Sequence, residues 1–195
     1  IGFDPPAVDF LLPHGNWTTP PPQKGEHPAA TPYADWLLPI FDRWYGASTL
    51  ETWVRLFGQV MALSLGEDRS SEGLGLGPER VAVFETDGAL EQTDALKSAF
   101  AGATKLPSTP GTANRLDSAM TTPAIVARQI GAAALSDTCL ACPVYRVCGG
   151  GNYAHRYREG SGFHNPSVYC ADLLKLIGHI QARIHTDITT TLQLH

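Results

Sequence analysis

The four cysteines constrain this 195-residue chain more than any other feature of its sequence. All of them lie in the last third of the chain, spaced as Cys-x2-Cys-x5-Cys-x21-Cys: Cys139, Cys142, Cys148 and Cys170. A secreted protein of this size usually spreads its cysteines along the chain and forms disulfides. Cysteines clustered in one segment are typical of a metal or iron–sulfur site. The sequence therefore predicts a metal centre on which folding of this region depends.

The residues around the cysteines support such a site but leave the metal open. Cys139 and Cys142 can bind one centre from a single turn, and Gly149, Gly150 and Gly151 allow backbone N–H groups to approach cluster sulfurs. Four thiolates suit tetrahedral Zn²⁺ and a cubane [4Fe–4S] cluster equally well. Two disulfides are the remaining alternative for four cysteines. A zinc site with three cysteines and His155 or His164 would leave Cys170 unused.

Composition and charge exclude several classes of protein. Nineteen acidic against 14 basic residues give a net charge of −5, and no lysine or arginine cluster is present, so we expect no nucleic-acid partner. The sequence has no run of about 18 apolar residues and no basic, apolar leader, which argues against a membrane span and a signal peptide. We therefore expect a cytoplasmic protein without membrane contact, and 43% hydrophobic residues are enough to bury a core.

Local patterns in the first half predict a strand, two helices and a hairpin. We expect a buried strand at 8–12, a helix at 31–45 that begins at Thr-Pro, a strand-like segment at 52–56 and a helix at 57–65. The Gly-rich stretch 66–77 is the best internal boundary. Beyond it, the β-prone runs at 81–86 and 89–93 flank Asp87-Gly88, which predicts a tight turn with positive φ at both residues.

Two further helices are expected in the second half of the chain. Thr122-Pro123 begins the first of them, with Val126, Ile130 and Ala133 on one face. Asn165-Pro166 opens the last helix, in which apolar residues recur at 3.6-residue spacing: Tyr169, Leu173, Leu176, Ile177, Ile180 and Ile184. That spacing predicts a helix with one buried face.

Other conspicuous side chains are interpreted as structural. His179 and His185 are six residues apart and lack the spacing of a helical metal pair. Arg156 and Arg158 are expected on an exposed face beside Tyr157. The aromatic group Trp36, Phe41, Trp44 and Tyr45 is expected in the core. No catalytic residue is assigned from the sequence.

Three segments together resemble a known family. The hairpin 84–97, the cysteine segment 139–170 and the run Gly-Asn-Tyr-Ala-His-Arg-Tyr-Arg at 151–158 look like the SPASM domain of radical S-adenosylmethionine (SAM) peptide-modifying enzymes, in particular the FxsB-type maturases. This resemblance implies a mixed fold between α/β and α+β. Residues 1–79 would be the last units of a partial (β/α) radical SAM barrel. Residues 80–195 would be a SPASM domain with a β-hairpin, a Cys-rich loop and helices.

The resemblance also implies cofactors and partners. The four cysteines would hold one auxiliary [4Fe–4S] cluster, because Thr93 and Asn152 stand where a second cluster would need cysteines. The Cys-x3-Cys-x2-Cys loop that cleaves SAM is absent, and the chain begins at Ile1 rather than Met. We therefore expect a barrel half supplied in cis or in trans, unless the protein is degenerate.

The expected substrate is a precursor peptide, in which side chains are cross-linked through carbon–carbon bonds. Without that loop, the chain cannot start the radical reaction alone. A non-catalytic module that binds a peptide or protein and is stapled by zinc is the alternative.

Overall fold

The structure is a computed structural model that describes residues 6–106 and 115–193. The chain starts with a parallel pair of short strands, β1 (Ala7–Val8) and β2 (Trp53–Val54), joined through helix α1 (Pro32–Tyr45). Parallel strands need such a crossover connection, and α1 provides it. Helix α2 (Arg55–Ser64) follows β2 without a loop.

Helix α1 has the predicted bounds. Thr31 precedes it, Pro32 occupies the first turn, and the N–H of Gly46 bonds to the Asp42 carbonyl at its end. The predicted strand 8–12 is wrong beyond Val8, and the Leu11 side chain is 86% exposed. The partner strand β2 is only two residues long because α2 begins at once, so the residues after Val8 have no strand to pair with.

The hairpin is confirmed, but its turn differs from the prediction. Strands β3 (Val83–Phe84) and β4 (Leu90–Glu91) are antiparallel. Gly88 has a positive φ of 81°, whereas Asp87 does not have a positive φ. The Asp87 side chain instead accepts the N–H of Ala89, and the N–H of Gly88 bonds to the Glu85 carbonyl. The turn is therefore longer than the predicted two residues.

The helix predicted from Thr122 is wrong in length and in its buried face. After α3 (Arg115–Met120), α4 (Pro123–Val126) forms a single turn, and a 3-10 turn follows at Gly131–Ala134. Ile125 is buried, while Val126 and Ile130 are exposed. Gly131 takes a left-handed conformation with φ of 57°, which is incompatible with a continuous α-helix.

Two short helices in the cysteine segment and one long helix at the end of the described chain complete the fold. They are α5 (Asp137–Leu140), α6 (Tyr145–Cys148) and α7 (Cys170–Gln193), with a 3-10 turn at Tyr153–Arg156. The last helix begins at Cys170 rather than at the predicted Asn165-Pro166. The Asn165 side chain donates to the carbonyls of Arg156 and Gly162, so it holds this segment as a loop.

The main core lies where α1 and α2 pack on α7. All six residues of the predicted apolar face are buried there: Tyr169, Leu173, Leu176, Ile177, Ile180 and Ile184. A smaller cluster around Leu96 and Ala154 joins the residues after the hairpin to the 3-10 turn at Tyr153–Arg156. The division at residue 79 stays a prediction. Within the described ranges, no helix is both long and apolar enough to cross a membrane.

Candidate metal centre

The four predicted cysteines line one cavity. About 350 Å³ of space free of protein atoms lies between these side chains, and part of it is open solvent. The other residues on its wall are mostly small or apolar: Thr138, Val144, Tyr145, Gly150, Ser167 and Leu174. All four cysteines are free thiols in the structure. The tertiary fold thus brings together side chains that are up to 31 residues apart in sequence.

Local structure explains how the cysteines converge. Cys139 lies within α5, and the N–H of Cys142 bonds to its carbonyl in the turn that follows. Cys148 is the last residue of α6, and Gly149 ends that helix in a left-handed conformation. Cys170 is the first residue of α7. Each thiol therefore stands at or next to the end of a helix, where the chain direction changes.

The electrostatics of the site favour neutral thiols when no metal is bound. Desolvation raises the pKa of Cys148 to about 12, with smaller contributions from the other three cysteines, while a hydrogen bond from the N–H of Gly150 opposes the shift. Desolvation also raises the pKa of Cys170. A metal or cluster that binds these groups as thiolates must displace their protons.

The prediction that Arg156 lies on an exposed face is wrong. Its side chain is buried and donates to three consecutive carbonyls, those of Gly149, Gly150 and Gly151. Arg158 is exposed, as predicted, and lies over the ring of Trp17. No sequence signal identified Arg156, because only the fold shows that the three glycine carbonyls are turned toward it and need a donor.

A buried ion pair beside the site was missed by the sequence reasoning. The Lys24 ammonium lies 2.7 Å from the Asp172 carboxylate, and both side chains are almost fully buried. The second oxygen of Asp172 accepts the N–H groups of Tyr33 and Ala34 in the first turn of α1. This pair joins the Pro-rich loop, α1 and the first turn of α7, which begins with Cys170. Lys24 lies in a polar loop and gave no sequence signal.

The other candidate positions have structural contacts. Thr93 donates to Glu72, and the Asn152 side chain accepts the N–H of Ala154. His155 packs against Tyr169 and is absent from the wall of the cysteine cavity. Burial lowers the pKa of His155 to about 4, with a smaller contribution from His14.

The remaining predicted groups form ordinary surface and core contacts. The His179 ring bonds to the carboxylate of Asp42 at 2.8 Å. Of the predicted aromatic core group, Phe41 is fully buried, whereas Trp36 is 58% exposed.

Comparison with known proteins finds similarity at the level of structure. No protein-family model and no curated protein matches the sequence. A structure of native anSMEcpe with bound AdoMet is 18% identical and superposes with a TM-score of 0.60, covering 79% of this chain and 41% of that one. A structure of native anSMEcpe with AdoMet and Cp18Cys peptide is 16% identical, with a TM-score of 0.56 over 82% of this chain and 43% of that one.

The chain therefore spans about two fifths of the length of these neighbours. At such low identity the likeness establishes a shared fold. This chain has the fold of part of anSMEcpe, an anaerobic sulfatase maturase of the radical SAM/SPASM class.

Proposed function

We propose that this chain is the auxiliary-cluster region of a radical SAM enzyme that modifies ribosomally made peptides. In this proposal the four cysteines hold one [4Fe–4S] cluster: Cys139, Cys142, Cys148 and Cys170. The observation that carries the proposal is that all four line one cavity, in a fold shared with part of a radical SAM/SPASM protein.

The arrangement of the four thiols around one cavity is compatible with a cluster. Among the described residues, no group of three or more His, Cys, Asp or Glu side chains is arranged to hold a single metal ion. A cubane puts a separate iron at each thiolate and so accepts four cysteines spread around a cavity.

The chain's own residues prepare the cavity for such a group. When bound, a [4Fe–4S] cluster supplies one-electron transfer. Val144 and Leu174 contribute apolar wall to the cavity, and Val144 is buried. The N–H of Gly150 donates to Cys148 and stabilises negative charge on its sulfur. The thiolates themselves are the ligands.

The contacts of Thr93 and Asn152 support a single cluster. In the resembling family these positions would need to be cysteines for a second auxiliary cluster to bind. Here Thr93 bonds to Glu72 and is buried, while Asn152 caps the 3-10 turn that follows it. Both side chains serve the fold through hydrogen bonds, and neither is a thiol.

The reaction that we propose requires more than these 195 residues. All four cysteines are assigned to the auxiliary site, which leaves none for the loop that cleaves SAM. We place that loop in a barrel portion supplied in cis or in trans, with residues 1–79 as the end of the barrel and 80–195 as the SPASM domain. The substrate would be a precursor peptide, as two anSMEcpe structures hold bound peptides. Its modification would be an FxsB-type carbon–carbon cross-link.

Iron and sulfide content tests the cofactor. The chain would be purified and reconstituted without oxygen, and we expect about four irons and four sulfides per chain with broad absorption near 400 nm. Cys148→Ser should lower the iron content, whereas Thr138→Ala should keep it because Thr138 lines the cavity without offering a sulfur. One zinc per chain and no sulfide after reconstitution would contradict the proposal and favour the zinc-stapled binding module.

Mass spectrometry of the peptide product tests the role in the reaction. In the complete enzyme, Cys148→Ser should abolish cross-linking, which is detected as loss of two hydrogens from the precursor peptide. Full turnover by that variant would overturn the proposed electron transfer through this site.

A further inference from the structure

We propose that Arg156 is a positioning residue that sets the reduction potential of the cluster, acting on Cys148 through the peptide unit that joins Gly149 to Gly150. This inference rests on the proposed function. It assigns a role to a side chain that does not line the cysteine cavity.

The first observation is the way in which the guanidinium binds the glycine loop, which consists of residues 149–151. Its Nη2 donates to the carbonyl of Gly149 at 2.5 Å and to that of Gly151 at 2.9 Å, and its Nε donates to the carbonyl of Gly150 at 3.1 Å. The planar fork of arginine suits several acceptors at once, which a lysine ammonium matches poorly. Arg156 thereby fixes the orientation of three successive peptide units.

The glycine loop needs this support because its backbone conformation is unusual. Gly149, Gly150 and Gly151 have φ angles of 60°, 80° and 70°, a region that other residues rarely adopt. A Cβ on Gly149 would lie 1.7 Å from the carbonyl oxygen of Gly75, so no side chain fits there. Three consecutive left-handed residues cannot belong to a helix or sheet, and their carbonyls need another donor.

One peptide unit lies between the guanidinium and the cysteine cavity. The carbonyl of Gly149 accepts from Arg156, and Gly150, whose N–H belongs to the same peptide unit, lines that cavity together with Cys148. A backbone hydrogen bond from Gly150 also opposes the rise in the pKa of Cys148. Hydrogen bonds in such a chain polarise one another, so a cation at the carbonyl end strengthens the N–H donor at the other end. Donors to cluster sulfurs stabilise the more negative, reduced state.

The second observation concerns the charge of Arg156. The side chain is buried, yet among the described residues it forms no ion pair with a carboxylate. A buried cation without an anion is costly, so an anionic partner is expected close by. Burial lowers the pKa of Arg156, and negative charge on Cys139 and Cys148 opposes that shift. A cluster held by four thiolates supplies this missing negative charge from the far side of the glycine loop.

Arg156 also lines a second cavity, of about 500 Å³, together with Gly149 and Gly151. Gly150 faces the cysteine cavity instead. The glycine loop thus separates the guanidinium from the thiols. This arrangement fits a residue that acts on the cluster through the backbone.

The test compares two arginines that lie two residues apart. Arg156→Gln removes the buried charge and the fork, while Arg158→Gln removes the same charge from an exposed side chain. The midpoint potential of the iron-loaded chain would be followed by EPR during a redox titration. We expect Arg156→Gln to lower the reduced-to-oxidised ratio at a given potential at least tenfold, which is a shift of about −59 mV for one electron. Arg158→Gln should leave the potential unchanged.

A conservative variant keeps the inference testable if Arg156→Gln does not fold. Arg156→Lys retains the charge but cannot reach three carbonyls, so the potential should fall by less, and exchange of the Gly150 amide hydrogen should speed up at least tenfold. An iron-loaded Arg156 variant with the potential and amide exchange of the parent would overturn this inference alone. A parent chain that takes up no iron would overturn the proposed function itself.

Discussion

The buried pair of Lys24 and Asp172 makes a quantitative prediction about stability. Lys24→Met keeps the aliphatic stem but removes the ammonium, which bonds to the Asp172 carboxylate at 2.7 Å and to the carbonyl of Ala30 at 2.5 Å. The exposed fractions of the two side chains are 0% and 3%, so water cannot replace the lost partner. The variant leaves a carboxylate buried without its counter-charge.

The magnitude follows from the remaining contacts of Asp172. Breaking a buried pair by removing one partner costs about 3–5 kcal/mol. Asp172 still accepts the N–H groups of Tyr33 and Ala34, which stabilise its negative charge, so we expect the lower end, about 3 kcal/mol. With a urea dependence of about 2 kcal/mol per molar, the unfolding midpoint should fall by roughly 1.5 M.

The assay is urea unfolding of the reduced chain in a single metal state, followed by far-UV circular dichroism and by tryptophan fluorescence. Coincident transitions in the two signals establish two-state behaviour. Lys175→Met is the matched control, because Lys175 pairs with Asp35 on the surface of the same two helices. Its midpoint should stay close to that of the parent.

A double variant separates charge burial from packing. Lys24→Met with Asp172→Asn removes the unpaired carboxylate, so it should be more stable than Lys24→Met alone. If Lys24→Met unfolds at the same urea concentration as Lys175→Met, the pair contributes nothing and the reasoning from burial is wrong.

Two further predictions concern the glycine loop and His155. Gly149→Ala should lower the free energy of unfolding by well over about 3 kcal/mol, or prevent folding, because its Cβ would lie 1.7 Å from the Gly75 carbonyl oxygen. Gly160 also has a positive φ, of 83°, but open space surrounds it. Gly160→Ala should therefore cost only about 1–2 kcal/mol in the same urea assay. Equal losses would contradict this. The pKa of His155 is about 4 in the folded chain, below its ordinary 6.5. Stability should therefore fall by about 3 kcal/mol as the pH drops from 6.5 to 4, since the unfolded state takes up the proton first. His155→Phe should remove that component, and an unchanged pH profile would refute it.

Sequence patterns predicted the elements whose stabilising contacts are local. The Thr-Pro start and Gly46 end of α1 fixed its bounds, and the 3.6-residue spacing identified the buried face of α7. The same reasoning gave wrong results where a side-chain hydrogen bond to the backbone competes with the expected turn or helix start. The turn at Asp87 is longer than predicted because a side-chain hydrogen bond to Ala89 replaces the second positive φ. The last helix starts late because Asn165 binds two carbonyls of the preceding loop.

In the candidate site, too, some residues were predictable from the sequence and others were not. Four cysteines with short spacings, followed by three glycines, were enough to predict a thiolate site, since thiols in one segment of 32 residues need little tertiary information to meet. The residues that support the site were not predictable. Arg156 was expected on an exposed face, but in the folded chain it is buried and donates to three carbonyls. Lys24 pairs with Asp172, which is 148 residues away in sequence, so no local pattern indicates the pair.

Sequence by itself predicted that the four cysteines form one site, and it determined the bounds of α1 and the face that α7 buries, because helix ends, helical periodicity and close cysteine spacing are properties of short segments. Tertiary structure decided which charges are buried and what they contact. A buried guanidinium or ammonium is tolerated only where carbonyls or anions from other segments surround it, and only the folded chain brings those segments together.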